Sequence, residues 1–130
     1  MSRIVIIEQD QLLRGLLREW LSAEGYAVSE RRLGEQSSDA PAALVIVDLY
    51  MPRCRGGDCV RAVKQAHPGA AVIAMSAQFS SGLAHSPRAA QVLGARQLLV
   101  KPFSRVELLS AVRAAIGPPQ CSTSTVTLKT

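Results

Sequence analysis

A chain of 130 residues has the size of one domain, and a compact fold of that length hides roughly two thirds of its extended-chain surface, so a single core is expected. Apolar residues make up 48% of the chain and aromatics 4%, which excludes wholesale disorder and leaves core packing to Leu, Val, Ile and Ala. The formal net charge of +5 is scattered instead of blocked, and no apolar run reaches the roughly 18–20 residues that span a bilayer, so neither a nucleic-acid arm nor a membrane segment is indicated.

Met1 opens almost directly onto a charged, strand-like segment with no signal-peptide pattern, which points to the cytoplasm. Together with a low-complexity ending it also suggests a complete short chain. Cys54, Cys59 and Cys121 are odd in number and lack zinc spacing, so they read as reduced, incidental thiols.

In chain order, the first short apolar run is Arg3 to Ile7, too short for a helix and rich in Ile and Val, as a strand buried on both faces requires. It stops at Glu8, Gln9 and Asp10. Asp10 suits the N-cap of a first helix that runs to about Glu24 and is closed by Gly25. On this helix Leu12, Leu13, Leu16, Leu17, Trp20 and Leu21 spread over roughly 180°, wider than the stripe of about 100° that docks on a sheet. The outer leucines, Leu12 and Leu16, therefore face a partner or are scattered exposed residues.

A weaker strand follows at Ala27 to Glu30, then apolar strands at Ala43 to Val47, Ala71 to Met75 and Gln97 to Val100, with helical patterns between. Ser104 caps a last helix that places Leu108, Leu109, Val112, Ala115 and Ile116 on one face and ends at Gly117. Residues 118–130 are mostly Ser, Thr and Pro and read as a flexible tail, although "TVTLK" alternates as an added edge strand would. His67 and His85 read as solvated loop residues, and Gly56 and Gly57 as loop permissiveness, without a phosphate-cradling pattern.

Alternating strands and helices predict an α/β, doubly wound, five-stranded parallel sheet, in which sites form beyond the carboxyl ends of the strands. There the sequence supplies Glu8 with Gln9 and Asp10, then Asp48, Ser76, and Lys101 before Pro102. A carboxylate closing the apolar run "ALVIVD" is costly unless it meets a cation or donors, and Lys101 is the natural partner of Asp48.

The stretches "IVIIEQD", "VIVDLYMP" with Gly56 and Gly57, "VIAMSA" and "LGARQLLVKPF" together resemble the receiver domain of two-component response regulators, the family of the chemotaxis regulator, over about Ser2 to Gly117. The resemblance implies a flavodoxin-like receiver fold for residues 1–117. It implies that Asp48 accepts a phosphoryl group from a sensor histidine kinase or phosphotransfer protein, that Lys101 and Ser76 hold phosphoryl oxygens, and that the Lys101–Pro102 bond is cis. It also implies magnesium on Glu8, Gln9, Asp48 and the Tyr50 carbonyl, and output by protein contact from a stand-alone domain, without nucleic acid or membrane. No enzyme activity is implied beyond self-phosphorylation and self-dephosphorylation. Tyr50 and Gln78 occupy positions that influence phosphoryl lifetime, with Tyr50 expected to shield the group from water.

The sequence departs from the pattern at Gln9, an amide where an acid ordinarily ligates the metal. Magnesium binding is therefore expected to be weak, with Asp10 either compensating or capping the helix. Leu98 replaces the aromatic that reports phosphorylation, and the span from Ser76 to Lys101 is longer than usual. These departures support an alternative: a degenerate receiver-like module that docks on other proteins without phosphorylation.

Overall fold

The computed structural model describes residues 3–31, 42–48, 50–51, 54–55, 57–76 and 94–118. Its elements are β1 (Arg3–Ile7), α1 (Gln11–Ala23), β2 (Ala27–Glu30), β3 (Leu44–Asp48), β4 (Tyr50–Met51), β5 (Cys54–Arg55), α2 (Gly57–Ala66), β6 (Ala71–Ser76), β7 (Gln97–Val100) and α3 (Arg105–Ile116). Five strands pair in parallel in the order β2-β1-β3-β6-β7, the doubly wound arrangement that the alternation predicts.

Because successive strand residues point to opposite faces, each apolar strand supplies two layers of core. Val5, Ile7, Val45, Val47, Val72, Ala74 and Leu98 pack with Val60 and Val63 of α2. On the other face Ile4, Ile6, Leu44, Ile46, Ile73, Met75 and Leu99 pack with Leu17 and Leu21 of α1 and with Leu108 and Val112 of α3. Full burial of one such aliphatic side chain contributes about 1.5–3 kcal/mol from its removal from water. Strands buried on both sides leave polar residues room only at their ends.

The helix ends follow their capping chemistry. Asp10 Oδ1 accepts the Leu12 and Leu13 amides at 2.9 and 3.3 Å, and Gly25 at φ 103 lets Tyr26 N–H return to the Leu21 carbonyl. At α3 the Ser104 hydroxyl accepts the Glu107 amide while the Glu107 carboxylate accepts the Ser104 amide.

Three features depart from the sequence reading. β3 and β6 run one residue further than their apolar cores, so Asp48 and Ser76 belong to the strands they close. A short antiparallel hairpin, β4 with β5, follows β3, and Gly57 opens α2 instead of lying in a loop. His67, read as solvated, is buried at 5% exposure. Its amide still bonds to the Val63 carbonyl, so it continues the phase of Val60 and Val63 inward for one more turn. Gly56, Gln78, His85, Cys121, most of the span between Ser76 and Lys101 and the tail from residue 119 lie outside the described residues, as does the Tyr50 side chain.

Candidate functional site

The chain leaves β1 toward β2 on one side and enters β3 on the other, so the carboxyl ends of β1 and β3 flank the topological switch point of the sheet. Open α/β sheets bind their ligands in the crevice at such a point. Glu8 follows β1 directly and Asp48 is the last residue of β3. Ser76 closes β6 and Lys101 follows β7. All of these strands are parallel, so the four residues share one edge.

Lys101 joins the two acids. Its Nζ donates to Glu8 Oε1 at 2.6 Å and to Asp48 Oδ2 at 3.1 Å. With neighbouring strands about 4.8 Å apart, β7 and β1 are separated by roughly 14 Å, so the lysine reaches back across β6 to make both contacts. The Lys101–Pro102 peptide is cis, and the Lys101 amide extends the β6–β7 ladder by donating to the Ser76 carbonyl at 3.0 Å.

The Glu8 side chain is 1% exposed and that of Asp48 11%, so these carboxylates have lost most of their water. Buried charges persist only when paired, and one ammonium between two acids leaves the trio with a net negative charge. Burial and then hydrogen bonding with Asp48 hold the Glu8 carboxyl above its ordinary value, despite the neighbouring ammonium. Burial works to lower Lys101, but its bonds to Glu8 and then Asp48 outweigh this and raise it. The lysine is therefore charged at neutral pH. The cluster is anionic and carries its own cation, which can meet the oxygens of a transferring group that need positive charge.

The acids after β1 divide their roles. Glu8 turns inward, with Oε2 accepting the Gln9 amide N–H at 3.0 Å. Gln9 and Asp10 are exposed, and Asp10 caps α1. Tyr50 opens β4 two residues past Asp48. Leu98 is buried in the layer facing α2. Among the described residues no three His, Cys, Asp or Glu side chains cluster to hold a metal.

Arg14 was not anticipated. Its guanidinium donates to the Glu8 main-chain carbonyl at 3.0 Å and pairs with Glu30 at 3.1 Å. A cation in the first turns of a helix opposes the macrodipole, which is the sequence signal that it has a specific partner.

Comparison with known proteins gives a consistent family. A family model described as response regulator receiver domain matches residues 4–113. The transcriptional regulatory protein CpxR of Escherichia coli K12 is 33% identical over 124 residues, which cover 89% of this chain and 50% of CpxR. The chain thus spans about half the length of that relative. Among solved structures, chemotaxis protein CheY4 of Vibrio cholerae superposes with a TM-score of 0.72 at 21% identity, covering 88% of this chain and 98% of that one. Response regulator protein TrrA of Thermotoga maritima, solved in complex with Mg(2+)-BeF, gives 0.69 at 27% identity, covering 88% and 99%.

Proposed function

The chain belongs to the response regulator receiver domain family, and on that premise we propose that Asp48 is its phosphoacceptor, charged by a phosphohistidine on a sensor kinase or phosphotransfer protein in the cytoplasm. The observation that carries the reading is the Asp48 carboxylate at the mouth of the switch-point crevice, 3.1 Å from the Lys101 ammonium.

In the transfer, an Asp48 oxygen forms a bond to phosphorus as the phosphorus–nitrogen bond to the donor imidazole breaks. The imidazole nitrogen keeps the bonding pair and takes up a proton, leaving an acyl phosphate on Asp48. The work of the protein is positioning and neutralisation. Lys101 meets the charge on the phosphoryl oxygens, and the Ser76 hydroxyl, at the end of the adjacent strand, donates to one of them. Water later cleaves the acyl phosphate, releasing phosphate and restoring the carboxylate. This self-limited chemistry is not turnover of a separate substrate. Output is by protein contact, through the surface that responds to the added charge.

Magnesium is the metal the family implies, and TrrA was solved with it. The donor set here fits a divalent ion poorly. Gln9 is neutral and exposed, Asp10 is committed to a helix cap, and Glu8 is already bonded through both oxygens. Magnesium gives up its waters reluctantly and depends on carboxylates to hold it.

Incubation with acetyl phosphate followed by intact mass tests the proposal. Wild type gains one phosphoryl group and Asp48→Asn gains none; an unmodified wild type overturns it. The same poor donor set favours a second reading, a receiver-like module that docks without phosphate, and an unmodified wild type that still binds its partner is what that reading expects.

A further inference from the structure

We infer that Lys101 is the resident cation of this pocket, standing in the role of a divalent metal, and that the pocket therefore takes a phosphoryl group without magnesium. The inference deepens the phosphoacceptor reading and, in its second half, rests on it.

The oxygens that a metal would use already accept hydrogen bonds. A divalent ion entering between Glu8 and Asp48 needs their outward oxygens, since magnesium keeps most of its waters and is held by the one or two carboxylates it reaches. Glu8 Oε1 is bound by Lys101 at 2.6 Å, and Oε2 by the Gln9 amide at 3.0 Å. The Glu8 main-chain carbonyl is bound by Arg14 at 3.0 Å. Asp48 Oδ2 is bound by the same ammonium at 3.1 Å. The next carboxylate along the chain, Asp10, spends Oδ1 on two amides of α1.

Charge leads to the same conclusion. Two carboxylates and one ammonium sum to one negative charge, where a third acid at position 9 would make two. Two residual negative charges match a divalent cation; one does not, and binding would have to dislodge a lysine already bonded to both acids. The lysine is tethered, so it charges the pocket at no cost in bound ion. When a phosphoryl group arrives on Asp48, the ammonium that neutralised the carboxylate is already within reach of the new oxygens.

The test titrates manganese, a paramagnetic stand-in for magnesium, and reads free ion by electron paramagnetic resonance. Wild type and Gln9→Asn are expected to leave the ion free, while Gln9→Asp binds it more than about tenfold tighter than wild type, since a carboxylate a few ångströms from a dication is a strong attraction. Gln9 is exposed, so neither substitution threatens the fold. Wild type binding as tightly as Gln9→Asp overturns the inference.

Phosphoryl loading from acetyl phosphate is measured alongside, with excess chelator or with magnesium. Loading that agrees within about twofold between the two supports the inference, and loading confined to magnesium overturns it. No loading under either condition overturns the phosphoacceptor reading instead, and the manganese titration alone then decides whether Lys101 excludes the metal.

Discussion

Lys101 Nζ donates to Glu8 Oε1 at 2.6 Å, across 93 residues of chain, and the glutamate side chain it meets is 1% exposed. The contact closes the sheet end between its first and last core strands. It also explains why an acid is tolerated directly after four buried aliphatic residues.

Removing one partner of a buried pair leaves the other uncompensated. Lys101→Met is therefore expected to destabilise the fold by about 3 kcal/mol or more, and Glu8→Gln combined with it to recover part of that loss. Urea unfolding of the single and double variants checks this; additive losses would show that the pair does not interact.

His67 sets a pH dependence. Burial, then the charges of Arg31 and Arg3, hold its imidazole below the ordinary histidine value. The unfolded chain thus binds a proton that the folded chain resists, so the stability present above the unfolded value is lost as pH falls through it toward the folded one. The urea midpoint of wild type should fall from about pH 7.5 to about pH 5.5, and His67→Phe should flatten that part of the curve. Parallel curves for the two proteins would refute this assignment.

Asp10 is structural. Asp10→Ala is expected to cost about 1 kcal/mol through the lost cap and to leave phosphoryl loading of Asp48 unchanged. A variant of normal stability that no longer loads would return Asp10 to the pocket.

Four leucines of α1 mark the extremes of its burial, with Leu13 half-buried between them. Leu17 and Leu21 are fully buried, while Leu12 is 86% exposed and Leu16 40%. Leu17→Ala should cost about 2–5 kcal/mol, and Leu12→Ser no more than about 0.5. Thermal unfolding of both variants makes the comparison.

These contrasts mark what sequence alone conveys. The strands β1 and β7 are legible to the residue because their apolar cores are buried on both faces, β2 because Gly25 ends the helix before it, and the strand-end residues stand out because Asp48 or Lys101 in such a place demands a partner. The leucine spread on α1 is legible as a pattern, but which leucines dock depends on the angle at which the helix meets the sheet. His67 reads as a loop residue because Pro68 and Gly69 follow it, while the spacing from Val60 and Val63 keeps the ring on the buried face. Arg14 and the β4–β5 hairpin escaped for a different reason. Arg14 is fixed by its ion pair with Glu30, sixteen residues away, and the hairpin by a pairing of two residues per strand, neither of which any periodicity reveals.

The most direct measurement is to load the protein with acetyl phosphate, reduce the acyl phosphate with borohydride, and locate the resulting homoserine by peptide mass spectrometry. The reduced residue is expected at position 48, with Lys101→Met lowering its yield. Loading at another carboxylate, with Asp48 unmodified, would contradict it.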